Sequence, residues 1–174
     1  DRMAEGILQT LIEIGVTTVN EPENYDARAN LMWNATMALN GILGVGVPQD
    51  WATHLIGHEL TALYGIDHGQ TLAVIFPALL KVQRKQKRTK LIQYAERVWH
   101  ITEGSEDEKI DLAIQKTREF FESIGIKTSL SEYDVGEDKF PEVIENLKSH
   151  GLTAISETGD ITPQVSQKIL ETAL

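Results

Sequence analysis

Apolar residues recur at three- and four-residue steps along nearly the whole chain, the period of an α-helix with one buried face. Met3, Ile7, Leu11 and Ile14 form the first such stripe, widened by Leu8 and Ile12. A second helix, over about 26–43, carries Ala29, Met32, Trp33, Thr36 and Leu39 on one side. After a Gly-rich connector at 41–48, Asp50 stands as the N-cap of a helix over 51–64. The pattern breaks at Gly65, Ile66 and Asp67 and resumes over about 69–83. Pro77 lies inside that run, and a proline there is expected to kink the helix or end its first half. Leu91, Ile92, Ala95 and Val98 mark the inner face of the next helix. Ser105 and Glu108 have capping-box spacing ahead of a helix through Ile110, Ala113, Ile114, Phe120 and Phe121, which closes at Gly125. The last two helices cover 139–150 and 162–172, with Pro141 and Pro163 in their opening turns. Period-two stretches are short, and residues 16–19 are the best strand candidate. The expected fold is all-α, about eight helices, with residues 1–174 forming a single domain large enough to hide roughly 70% of its unfolded surface.

Composition narrows the function. The net charge is −10, which argues against a nucleic-acid backbone as partner. The sequence has no cysteine, and this excludes disulfide scaffolds, Cys-ligated zinc and iron–sulfur clusters. No apolar run reaches the ~18 residues of a membrane span, and no signal peptide is visible, so the expected location is the cytoplasm. The sequence begins with Asp1, and the chain is expected to be less than a full translation product.

Histidine placement is the informative feature. His54, His58 and His68 fall within fifteen residues. His54 and His58 are one turn apart on the same helix face, opposite Ala52, Ile56, Leu60 and Leu63. Thr61 and Gly65 share the polar side. His68 follows the Gly65 break, and for it to share a metal with His54 the second helix must fold back sharply, which glycines on either side of the turn permit. Neutral imidazoles suit zinc, iron, copper or nickel alike. A solvated histidine pair is the competing reading. The zincin pattern fails because its second histidine would fall at Ala62. Two ligands do not complete a site of four, so other groups are required. His100 and His150 are read as structural, at helix ends. The basic run Lys81, Arg84, Lys85, Lys87, Arg88 and Lys90 is read as a solvated helix junction. Neither a dinucleotide fingerprint, a P-loop nor a nucleophile elbow is present.

With His54, His58, His68-Gly69 and Pro77 at these spacings, the 51–77 stretch resembles the signature of the iron-type (group III) alcohol dehydrogenases. The similarity runs over essentially the whole chain. Asp50-Trp51-Ala52-Thr53-His54 and Gln93-Tyr94-Ala95-Glu96-Arg97-Val98-Trp99 resemble the branch of butanol dehydrogenases and NADPH-dependent aldehyde reductases. The resemblance implies the C-terminal helical domain of a two-domain enzyme whose N-terminal domain binds NADP or NAD. It implies a divalent metal, iron or zinc, held by one Asp and three His, with His54 and His68 as two of those ligands. It implies His58 as a catalytic proton relay that does not ligate. The substrate would be a small aldehyde or alcohol, and the full-length protein a cytoplasmic homodimer. The family's Asp-x-x-x-His ligand pair is not in this sequence, so the isolated chain is expected to be inactive, to bind metal poorly and to expose an apolar face. The alternative is a stand-alone helical interaction module with surface histidines. A metal-dependent hydrolase would need an acidic base at the site, and Glu59, the only adjacent carboxylate, belongs to the buried side.

Overall fold

The computed structural model describes all residues, 1–174. It contains eight α-helices: α1 (Arg2–Asn20), α2 (Tyr25–Leu39), α3 (Ala52–Tyr64), α4 (His68–Val82), α5 (Arg88–Arg97), α6 (Glu106–Ser123), α7 (Phe140–Ser149) and α8 (Pro163–Thr172). Short 3₁₀ turns occupy Ile42–Gly44, Leu130–Tyr133 and Glu137–Lys139. There is no strand, only an isolated antiparallel bridge between Ile155 and Ile161. No helix is long and apolar enough to cross a membrane. The all-α class and the helix number match the expectation, while the strand candidate at 16–19 is absorbed into α1.

The chain divides into two compact units. One comprises Asp1–Pro48 and Arg88–Ile124. In it α1 packs on α2 and α5 on α6. Tyr94 and Trp99 pack over Ala95, Ile101 and Ala113, and the Tyr94 hydroxyl lies 2.7 Å from Thr117 Oγ1. Ser105 and Glu108 form the expected capping box at the start of α6. The expected inner face of α2 is overturned. Its buried positions are Ala27 and Asn34, whereas Met32 is 72% and Leu39 85% exposed. All five residues of the expected stripe are exposed, and the apolar side chains of α2 are spread around the helix instead of gathered on one side.

The other unit comprises Gln49–Lys87 and Gly125–Leu174. Here α3 packs on α4, α4 on α8, α8 on α7 and α7 back on α3, a closed ring of neighbours. Ile56, Leu60, Ile75, Leu79, Val143, Leu147, Ile169 and Leu170 fill its centre and are essentially inaccessible. Pro77 does not end α4, which runs unbroken through it. An interior proline costs about 3 kcal/mol, and the burial of Val74, Ile75, Ala78, Leu79 and Leu80 around it outweighs that penalty.

Candidate metal-ligand site

The α3–α4 hairpin brings the three histidines together. Two glycines make this possible. Gly65 caps α3 in the left-handed region at φ +67°, and its N–H donates to the Thr61 carbonyl at 3.0 Å. Asp67 is already the N-cap of α4, so the chain reverses within three residues. Gly57 lets the helices approach, since a Cβ there would lie 2.8 Å from Thr71 Oγ1. Thr71 is fully buried, and its hydroxyl donates to the His68 carbonyl at 2.8 Å.

Ring centres of His54 and His68 stand 5.3 Å apart, those of His58 and His68 4.8 Å, and those of His54 and His58 6.2 Å. With metal–nitrogen bonds of about 2.1 Å and tetrahedral angles, two imidazoles sharing an ion have centres roughly 5 Å apart, a spacing that both the His54–His68 and the His58–His68 pairs have. No group of three or more His, Asp or Glu side chains is arranged to hold an ion. The three imidazoles are thus brought together at the α3–α4 turn without a complete ligand set around them. His54 is partly buried, and its pKa is lowered by desolvation and then by the charges of His68 and His58. Both effects favour the neutral imidazole, the form that ligates.

Ala52, Ile56 and Leu60 are fully buried on the far side of α3, as the helical wheel requires. Glu59 is 5% exposed and meets His150 Nδ1 at 2.8 Å, so its carboxylate is turned away from the histidine face and engaged. His150 is structural, as expected, through a side-chain contact that ties α7 to α3 as well as through its place at the end of α7. Tyr64 adds a second tie, its hydroxyl donating to Glu142 at 3.2 Å. His100 is not at a helix end proper: it lies three residues beyond α5, at φ +55°, 3.5 Å from Gln9 Nε2.

Sequence reasoning missed the surroundings of His54. The N-cap of α3 is Trp51 and not Asp50, and it makes no side-chain cap bond. Asp50 instead accepts from the Ala52 N–H at 2.8 Å, two residues on. This is the Asx turn that Asp residues favour, a signal present in the sequence. The Trp51 ring stands edge-on to His54 at 5.2 Å. Lys87, read as solvated, is only 15% exposed and binds Asp50 and Glu157 at 2.8 and 2.7 Å. Arg88 and Lys90 are also paired, with Glu106 and Asp107 and with Asp1.

With this geometry in hand, comparison with known proteins is specific. The chain is 59% identical over 173 residues to the NADPH-dependent aldehyde reductase YqhD of Escherichia coli, matching 99% of this chain and 45% of that protein. It is 34% identical over 174 residues to NADH-dependent butanol dehydrogenase A of Clostridium acetobutylicum, matching 98% of this chain and 44% of that one. The substrate- and cofactor-free structure of the E. coli aldehyde reductase superposes with a TM-score of 0.98 at 58% identity, covering 100% of this chain and 46% of that chain. The chain thus spans less than half the length of the relatives it matches. Residues 1–171 match the C-terminal model of the Fe-containing alcohol dehydrogenase family, and the chain belongs to that family.

Proposed function

We propose that this chain is the metal-binding helical domain of an NAD(P)H-dependent alcohol dehydrogenase that interconverts short-chain aldehydes and primary alcohols. The observation that carries this reading is the 5.3 Å separation of the His54 and His68 rings across the α3–α4 turn, in a chain of this family. In the proposal His54 and His68 supply two ligands to a divalent metal, iron or zinc, and residues outside this chain supply the others. Bound there, such a metal polarises a carbonyl oxygen as a Lewis acid. His54 presents a neutral ring on the rigid wall that α3 and α4 build, and His68 meets it from the first turn of α4. His58 is the proton relay: its ring is exposed, lies 4.8 Å from that of His68, and passes a proton between solvent and the substrate oxygen from an imidazole nitrogen. NADP or NAD is held mainly by polypeptide outside this chain. The same reading makes the full-length enzyme a cytoplasmic homodimer acting on a small-molecule substrate, and the 174-residue chain inactive alone.

The test replaces the matching C-terminal part of the E. coli aldehyde reductase with this chain. The chimera is expected to reduce butyraldehyde with NADPH, to contain metal, and to lose both properties on His54→Ala or His68→Ala with the fold retained. His58→Ala is expected to keep the metal and lose turnover. Full metal content and activity in the His54→Ala and His68→Ala chimeras would overturn the assignment in favour of surface histidines, and turnover by the isolated chain would overturn its predicted inactivity.

A further inference from the structure

His54 occupies the third position of α3, in the first turn, where backbone N–H groups have no intrahelical acceptor and helices fray most readily. A ligand placed there needs its helix end held, yet the N-cap residue Trp51 offers no side-chain bond. Asp50 does the holding with both carboxylate oxygens. Oδ1 accepts from the Ala52 N–H at 2.8 Å, and Oδ2 meets Lys87 Nζ at 2.8 Å. Lys87 Nζ is in turn fixed by both oxygens of Glu157, at 2.7 and 2.8 Å, in the segment closed by the Ile155–Ile161 bridge. Its backbone N–H donates to the Gln83 carbonyl at 2.9 Å, just past α4. An unbroken series of short contacts therefore runs from Glu157 through Lys87 and Asp50 to the start of α3, where the Trp51 ring abuts His54.

We propose that Lys87 is a positioning residue for His54, acting through Asp50 to fix the first turn of α3 and the Trp51 ring against the imidazole. Its bearing on ligation rests on the metal-site reading above; the positioning itself does not. The experiment uses the metal-free 174-residue chain and its Lys87→Met, Lys87→Arg, Asp50→Asn and Glu157→Gln variants. The readout is the His54 Cε1–H resonance, assigned with His54→Gln, which senses the neighbouring indole ring current, alongside thermal denaturation. Lys87→Met and Asp50→Asn are expected to displace and broaden the His54 signal while leaving that of His150 in place. Glu157→Gln is expected to displace it less, and Lys87→Arg to restore it. A variant that melts earlier but keeps the wild-type His54 signal overturns the proposal, because a merely structural ion pair behaves that way. If Lys87→Met does not fold, Asp50→Asn, which retains an oxygen for Ala52, decides the question by the same signal. A parallel titration with Zn²⁺ alone is expected to show about tenfold weaker uptake by Lys87→Met. No uptake by the unmodified chain agrees with its incomplete ligand set, and the His54 signal then decides the positioning proposal alone.

Discussion

Helices α2 and α3 are close in length, and residue spacing assigns an apolar stripe to each, yet the assigned residues have opposite fates. Ile56 and Leu60 of α3 are sealed by α4 and α7. Met32, Trp33 and Leu39 of α2 stand in solvent, and α2 meets α1 through a side whose buried members are Ala27 and Asn34. Periodicity names the apolar side of a helix. Whether another element covers that side is a long-range fact that spacing alone does not hold.

The largest effect expected from this contrast is in stability. Leu60→Ala removes a fully buried side chain and is expected to cost about 2–5 kcal/mol, whereas Leu39→Ala is expected to stay within about 0.5 kcal/mol. Urea denaturation of both variants measures this, and equal losses would show that α2 is covered in solution.

Added bulk sharpens the same comparison. Gly57→Ala drives a methyl group to 2.8 Å from the buried Thr71 hydroxyl, with an expected loss of about 1–3 kcal/mol. Ala29→Leu adds more volume on the exposed side of α2 and is expected to leave the melting temperature unchanged. A smaller loss, about 1 kcal/mol, is expected for Gly65→Ala from its left-handed backbone alone, since nothing lies within 4 Å of a Cβ there.

These cases show what was legible. The eight helices were, because their spacing, the Ser105–Glu108 box and the glycine stops are local signals. The pairing of His54 with His58 was also legible, being one turn of helix. The return of His68 was only permitted by the sequence: the Gly57–Thr71 approach that sets it depends on how two helices dock. The Glu59–His150 contact spans 91 residues and leaves no trace in either neighbourhood. Pro77 does not end α4, because the burial around it opposes the local penalty, and that burial is not visible in the spacing.

Charge gives the last and smallest contrast. Lys90–Asp1 is an exposed pair, with side chains 63% and 51% accessible, and Lys90→Met is expected to change stability immeasurably. Lys87 is different. Desolvation alone would lower its pKa, but hydrogen bonds to Asp50 and Glu157 and their charges reverse this, and the net shift is upward. A base whose folded pKa is raised binds its proton more tightly when folded. Its stabilisation is therefore fully present below the unfolded lysine value of about 10.4 and lost as pH rises through the higher folded value. Thermal melts from pH 8 to 12 are expected to show the unmodified chain losing up to about 1 kcal/mol more than Lys87→Met over that alkaline window. Parallel curves for the two proteins would mean that the Lys87 proton is held no more tightly in the fold than in the open chain, and the distinction between the two basic neighbours would vanish.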